Sequence, residues 1–180
     1  MQALITMENI KRLPLHDFHI ENSAKMINFA GWEMPVSYGS SVDEHMRVRQ
    51  DFGFFDVSHM GELFVSGKQA LEFLNYSVTN DVRKISDGDA IYTLMCNESG
   101  GVIDDLIIYR ISSSEFFLCV NASNTEKDFL HLKDLIQTFD CHVKDVSSEY
   151  CLIAVQGPNS AKFLDKTLKQ KFSKINRMQF

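Results

Sequence analysis

The run NESGGVIDDLIIYR, residues 97–110, is the clearest indication of the fold of this 180-residue chain. Its Gly-Gly turn separates two strand-like runs, DAIYTLMCN at 89–97 and GVIDDLIIYRI at 101–111. Two such runs joined by a tight glycine turn are typical of an antiparallel β-hairpin. The second run carries two adjacent carboxylates, Asp104 and Asp105, at positions where aliphatic side chains are expected.

Side chains alternate between the two faces of a strand, so these carboxylates are expected to point in opposite directions. One face holds Ile103, Asp105, Ile107 and Tyr109, and the other holds Val102, Asp104, Leu106, Ile108 and Arg110. Burying a carboxylate without a partner is costly and raises its pKa. At least one of the two acids is therefore expected to meet a donor, a ligand or water.

Two explanations of this acidic strand stay open at the level of the residues. Both carboxylates can lie near the solvated turn and accept hydrogen bonds from backbone N–H groups. Alternatively, one of them faces a pocket with apolar walls and serves an amine-bearing heterocycle as proton acceptor or positioning anion. Tyr92, Tyr109 and Asn121 could line the same cleft at the strand ends. The spacing does not choose between Asp104 and Asp105.

The rest of the chain predicts strands and helices in alternation. Strands are expected at 61–67, 116–122, 141–147 and 150–157, and helices at 40–52, 68–77, 124–139 and after Pro158. Ser41 with Glu44, and Ser123 with Glu126, have the spacing of capping boxes. The aromatic run at 29–41 is predicted to be a packed loop bordering a site. These elements indicate an α+β domain with a largely antiparallel sheet and interspersed helices.

Composition and charge argue against several classes of function. The formal net charge is −6, from 18 basic and 24 acidic residues, which disfavours nucleic-acid binding through a basic face. The cysteines lack CxxC spacing and the histidines are scattered, so neither a metal site nor a disulfide framework is expected. No apolar run approaches the roughly 18 residues of a membrane span. Without a recognisable secretory signal, a bacterial cytoplasmic location is expected, with the mitochondrial matrix as the alternative.

Six motifs, in order along the chain, resemble a single protein family. They are LPLHDFHI at 13–20, KMINFAGWEMPVSY at 25–38, DFGFFDVSHMGE at 51–62, NESGGVIDDLIIYR at 97–110, VNASNTEKDF at 120–129 and LIAVQGP at 152–158. The set resembles the amino-terminal half of the T-protein of the glycine cleavage system, an aminomethyltransferase that uses tetrahydrofolate. The resemblance implies transfer of a one-carbon unit from the aminomethyl-lipoyl arm of the H-protein to tetrahydrofolate. The products would be 5,10-methylenetetrahydrofolate, ammonia and dihydrolipoyl H-protein.

The resemblance also implies roles for single residues. It selects Asp105, the second acid of the pair, as the catalytic carboxylate beside the reactive nitrogens of the folate. Met60 resembles a residue that lines the folate cleft, and Asn121 matches a polar contact to the pterin. Tyr92 and Tyr109 match positions beside the pterin and the central ring of the folate.

The resemblance further implies a domain organisation. Residues 1–50 would be an N-terminal segment with a helix that contributes to the folate-binding domain, 51–157 its α+β core, and 158–180 the truncated start of a following region. Because family members are longer, the 180-residue piece alone is expected to be inactive or nearly so. The alternatives are another folate-dependent methyl or one-carbon transferase or demethylase, and a non-enzymatic folate-binding protein of iron–sulfur maintenance.

Overall fold

The computed structural model describes residues 10–180, and these residues form two compact units. The first unit runs to His59 and includes Cys151–Lys174, and the second comprises Met60–Tyr150 and Ile175–Phe180. The sequence-based segments meet elsewhere, at 50/51 and 157/158. Their assignment to a folate-binding domain stays a prediction.

Ten β-strands and five α-helices are found in the described part of the chain. The strands are β1 (Lys11–Arg12), β2 (Lys25–Phe29), β3 (Trp32–Ser37), β4 (Gly53–Asp56), β5 (Gly61–Ser66), β6 (Ala90–Cys96), β7 (Val102–Ser112), β8 (Glu115–Val120), β9 (His142–Asp145) and β10 (Ile153–Gln156). The helices are α1 (His16–Glu21), α2 (Ser41–Gln50), α3 (Ala70–Ser77), α4 (Thr125–Leu135) and α5 (Ser160–Leu168). None of these helices has the length and apolar composition that a bilayer crossing requires.

The first unit contains two small sheets. In one, β3 lies between β1 and β2, parallel to β1 and antiparallel to β2, and in the other β4 pairs with β10. A tight turn joins β2 to β3, because Ala30 and Gly31 adopt positive φ angles of 51° and 83°. The run at 29–41 is therefore mostly a hairpin, and the packed loop predicted there was wrong. Pro35 within β3 hides this strand from pattern-based prediction.

A buried polar group ties α1 to β4 within the first unit. His19 Nε2 lies 2.9 Å from Asp56 Oδ2, and both side chains are almost fully buried. The other ring nitrogen of His19 is hydrogen-bonded to the Tyr38 hydroxyl. Each of these buried polar side chains therefore has a partner, which limits the cost of removing it from water.

The second unit is built on a five-stranded antiparallel sheet in the order β6-β7-β8-β5-β9. Together with the pairings of the first unit, in which only β1 and β3 run parallel among the described strands, this confirms the α+β class with largely antiparallel sheets. Leu106 and Ile108 of β7 share one buried cluster with Phe73 of α3 and Leu132 of α4. The two helices thus cover one face of the sheet, the face that carries Leu106 and Ile108.

The hairpin predicted from residues 97–110 is confirmed. β6 and β7 are antiparallel neighbours, with Leu94 opposite Asp105. In the turn, Asn97 Oδ1 accepts the Gly101 N–H at 2.8 Å, and Gly100 adopts a positive φ of 81°. Along β7 Asp104 is buried and Asp105 is exposed, as the predicted alternation requires.

Both capping boxes predicted from the sequence were wrong by one residue. The cap of α2 is Ser40 rather than Ser41, and its hydroxyl accepts the Asp43 N–H at 3.3 Å. Helix α4 follows Asn124 rather than Ser123, and that N-cap forms no side-chain cap hydrogen bond. Adjacent residues that can all act as caps leave the register of a helix start open to tertiary contacts.

Candidate active site

The centre of the candidate site is the carboxylate of Asp105. Its residue lies on the face of β7 opposite the buried core, and the side chain is exposed. The Tyr92 hydroxyl donates to Asp105 Oδ2 at 2.9 Å, and Asn121 Nδ2 donates to Asp105 Oδ1 at 3.2 Å. Within residues 10–180, no lysine, arginine or histidine forms an ion pair with this carboxylate. It is therefore held in place by neutral donors and keeps its charge available to a ligand.

Two neighbouring strands supply those neutral donors. Tyr92 lies on β6, opposite Ile107 of β7 and on the same face as Asp105, with 52% of its surface exposed. Asn121 directly follows β8, one residue beyond Val120. The hydrogen bond to Asp105 is the main reason why the pKa of the Tyr92 phenol lies above its usual value. That phenol thus stays a proton donor across the neutral pH range.

Asp104 has the opposite environment although it is the adjacent residue. It is 4% exposed and accepts the backbone N–H of Asn121 at 3.1 Å, Asn121 Nδ2 at 2.9 Å and Asn124 Nδ2 at 2.6 Å. Burial alone would raise the pKa of Asp104, but hydrogen bonds with Asp128, Asn121 and Asn124 outweigh it, and the pKa is lowered. Of the two explanations left open by the sequence, hydrogen bonding within the protein therefore describes Asp104.

Tyr109 and Met60 complete the set of residues predicted from the sequence. Tyr109 lies on the same face of β7 as Asp105, and its ring packs edge-on against Phe117 and Phe180 at centroid distances of 6.2 and 5.5 Å. Met60 precedes β5, whose first residue pairs with Val120. Met60 is thus at the same sheet end as Asn121. Hydrogen bonds bring Asp105, Tyr92 and Asn121 together, whereas Tyr109 and Met60 share only a face or an edge with them.

Sequence reasoning missed two residues that support this group, Asn124 and Asp128. Asn124 ends the turn before α4, and Asp128 is a fully buried acid in the first half of that helix. A signal for Asp128 was present, because it lies four residues before Leu132 and so falls on the apolar face of the helix. An acid on the core-facing side of an amphipathic helix indicates a buried polar partner.

The chain is similar to known proteins over most of its length. The sequence model of the GCVT N-terminal domain matches residues 15–180. An aminomethyltransferase of Thermotoga maritima is 46% identical over 171 residues, which cover 95% of this chain and 47% of that relative. An aminomethyltransferase of Desulfitobacterium hafniense is 44% identical over 174 residues, which cover 97% of this chain and 48% of the relative. The chain thus spans about half the length of the curated relatives it matches.

A solved structure extends the comparison to the fold. The glycine cleavage system aminomethyltransferase T from Bartonella henselae superposes with a TM-score of 0.90 at 36% sequence identity. The match covers 94% of this chain and 46% of that protein. Since the family model spans most of the sequence, the chain belongs to the GCVT N-terminal domain family.

Proposed function

We propose that the protein acts in the glycine cleavage system as a tetrahydrofolate-dependent aminomethyltransferase. Its donor would be the aminomethyl-lipoyl arm of the H-protein, and its acceptor tetrahydrofolate. The names of the similar proteins support the activity, because they are aminomethyltransferases, one of them a glycine cleavage T protein. The single structural observation that carries the proposal is the exposed Asp105 carboxylate, held by Tyr92 and Asn121 without a cationic partner among the described residues.

The side chains around Asp105 fit a folate in their chemistry. A pterin edge requires paired donors and acceptors, which a carboxylate, a phenol and an amide can supply. Its rings require apolar or aromatic walls, and Tyr92 and Tyr109 offer aromatic surface on the same face of the sheet. Met60 adds a flexible apolar side chain at the sheet end. Tetrahydrofolate would supply the amine nitrogens that receive the one-carbon unit.

In this proposal Asp105 is the proton acceptor of the reaction. An amine that forms a bond to carbon must lose a proton, and a carboxylate without a cationic partner can take it. Tyr92 and Asn121 limit the orientations of the carboxylate through one hydrogen bond to each oxygen. Because the carboxylate is already oriented, it does not have to reorient during the proton transfer. An ion pair with arginine or lysine would neutralise the carboxylate. The neutral donors hold it in place and leave its charge unpaired.

The test is a single-turnover assay with the full-length protein, aminomethyl-lipoyl H-protein and tetrahydrofolate. We expect 5,10-methylenetetrahydrofolate and ammonia in equal amounts, and a large loss of rate for Asp105→Asn with little change in folate affinity. Methylated amine donors offered in parallel would identify another folate-dependent transferase or demethylase. Folate binding without turnover of any donor would identify the non-enzymatic alternative, and it would contradict the proposal.

The proposed partner rests on the family, and the expected location rests on the sequence. Recognition of the lipoylated H-protein follows from the activity proposed here, and the bacterial cytoplasmic location expected from the sequence stays a prediction. A pull-down with lipoylated and unlipoylated H-protein separates recognition of the arm from recognition of the protein surface. Equal retention of both forms would mean that the arm contributes little to binding.

A further inference from the structure

Asp128 of α4 is a buried acid that the proposed mechanism does not use. It is 0% exposed, and both carboxyl oxygens are inaccessible to solvent. Among the described residues no N–H or hydroxyl group donates to either oxygen. A carboxylate in such a place would be an unpaired buried charge, one of the most costly groups in a protein interior.

Asn124 links Asp128 to Asp104, because its Nδ2 donates to Asp104 Oδ1 at 2.6 Å and its carbonyl accepts the Asp128 N–H at 2.8 Å. The carboxyl of Asp104 is the group whose hydrogen bond and charge act on the pKa of Asp128. Two ionised carboxylates repel and have no hydrogen to share, so a hydrogen bond between them requires one proton. Asp104 already accepts hydrogen bonds from three N–H groups, which stabilise its anion. Asp128 has no such donors, and the proton therefore belongs on Asp128.

We propose that Asp128 is a neutral carboxylic acid that donates a hydrogen bond to the Asp104 carboxylate and thereby positions Asn121 and, through it, Asp105. Asp128 is then a positioning residue rather than a catalytic one. The neutral state of Asp128 is argued from its complete burial and its lack of donors. Its effect on turnover rests on the function proposed above for Asp105.

The charges around the pair favour this assignment. Burial, followed by the hydrogen bond and the charge of Asp104, raises the pKa of Asp128 to about 8, and Lys127 opposes the shift. Lys127 extends from the same helix turn and its Nζ donates to the Ile103 carbonyl at 2.7 Å. On the far side of Asn121 lie the Asp105 carboxylate and the Tyr92 phenol. A neutral Asp128 keeps this region from holding three carboxylates against a single lysine.

Asn121 connects the pair to Asp105. Its Nδ2 has two hydrogens and faces three acceptors: Asp104 Oδ1 at 2.9 Å, the Asp105 carbonyl at 3.0 Å and Asp105 Oδ1 at 3.2 Å. One hydrogen thus serves the buried anion and the other is shared within Asp105. When Asp128 loses its proton, repulsion displaces the Asp104 anion, and Asn121 must follow it. We therefore expect the orientation of Asp105 to loosen as the pH rises past about 8.

The first experiment measures the proton itself. The protein is labelled with ¹³C at the side-chain carboxyl of aspartate, and its NMR spectrum is followed from pH 5 to pH 10. The resonance that disappears in Asp128→Asn is expected to keep the shift of a protonated acid at pH 7 and to titrate near pH 8. A resonance with the shift of an ionised carboxylate at pH 6 would overturn the proposal, whatever the activity of the protein.

The second experiment measures positioning. In Asp128→Asn the amide can still donate to Asp104 but cannot ionise, so turnover at pH 7 should stay within about threefold of the unaltered protein. This variant should also lose the decline in kcat above pH 8. Asp128→Ala removes the donor, and we expect about tenfold lower kcat with a smaller change in KM, the equivalent of one hydrogen bond.

Asp134→Asn is the matched control, because Asp134 is an exposed acid on the same helix. It should leave kcat and its pH profile unchanged. Equal kcat values for the Asn and Ala variants at residue 128 would show that the donated hydrogen bond does not position Asp105. A decline in kcat above pH 8 that persists in Asp128→Asn would also contradict the positioning role of Asp128. If no variant turns over folate at all, the function proposed for the site fails while the NMR titration still decides the protonation of Asp128.

Discussion

The two faces of β7 put the same residue type to different uses. On one face Asp104 is buried, and three N–H groups and the Asp128 carboxyl surround it. On the other face Asp105 is exposed and meets one phenol and one shared amide. The comparison shows that the number of donors and the access of solvent, rather than the acid itself, separate a structural carboxylate from one available for chemistry.

The difference extends across the whole sheet of the second unit. The Asp104 face continues into Leu106 and Ile108, which pack under α3 and α4. Strand pairing places Tyr92, Cys119 and Glu62 on the same face as Asp105. One face of this sheet thus holds the unit together, and the other collects polar and aromatic side chains.

The largest expected effect is on turnover, and it comes from removing the charge of Asp105 rather than that of Asp104. Asp105→Asn in the full-length protein should lower turnover by about 100-fold or more, since it removes a proton acceptor while keeping size and hydrogen bonding. Asp104→Asn should cost less turnover but reduce the free energy of unfolding. Rate assays compare the turnover of the two variants, and urea titrations compare their free energies of unfolding. Equal, small losses of turnover would mean that Asp105 is not the reacting group.

The next largest effect is on the free energy of unfolding, and it compares variants of the adjacent residues Ile107 and Ile108. Ile108 is 0% exposed in the buried cluster, so Ile108→Ala should lower the free energy of unfolding by about 3 kcal/mol. Ile107 lies on the Asp105 face and is only half-buried, and Ile107→Ala should cost about 1 kcal/mol. Denaturant unfolding of the two variants gives the difference directly. Similar losses would show that the two faces contribute equally to the core.

A pH-dependent effect is expected from Glu62, the buried acid on the Asp105 face. Burial, with a smaller contribution from Asp145, raises its pKa to about 7, and neither oxygen has a hydrogen-bond partner in the described chain. The unfolded chain ionises Glu62 near pH 4.5. Its contribution to stability is therefore complete below that pH, falls as the pH rises towards 7, and stays lost above it.

Glu62→Gln removes this titration and so tests it. Relative to the unaltered protein, the variant should gain on the order of 2 kcal/mol in unfolding free energy between pH 4 and pH 9. Urea titrations at several pH values measure the gain, and Glu149→Gln, at an exposed acid of the same unit, is the control. A stability difference that does not change with pH would mean that the folded protein and the unfolded chain ionise Glu62 at the same pH.

The smallest expected effect concerns the phenol beside Asp105. Tyr92→Phe removes the hydrogen bond to Asp105 Oδ2 and should lower turnover by roughly three- to tenfold. In Asp105→Asn the raised pKa of Tyr92 should return towards its usual value, because the hydrogen bond to the carboxylate is its main cause. Ultraviolet titration of the phenols, with Tyr92→Phe as reference, detects this change. An unchanged Tyr92 titration would show that the two groups are not coupled.

Several elements could be predicted because their signals are local. The glycine turn, the hairpin and the alternation along β7 depend on residues close to one another in the chain. The strand β3 could not be predicted, because Pro35 obscures it. The exact helix starts could not be predicted either, because adjacent residues such as Ser40 and Ser41 can both act as the N-cap of α2. Within the candidate site, the strand pattern pointed to Tyr92, Tyr109, Asn121 and one of the two acids. The family resemblance chose Asp105 and added Met60, whereas Asn124 and Asp128 were missed.

The strand pattern alone predicts that Asp104 and Asp105 point to opposite faces of β7, because the period of a strand is two residues. It did not determine which acid would be buried among donors. Asn121 and Asn124 lie 17 and 20 residues beyond Asp104, and reach it only when β8 pairs with β7 and α4 packs on the sheet. Only the tertiary structure shows which acid is buried. Hydrogen bonds from distant segments and the exclusion of water determine the environment and the pKa of each carboxyl.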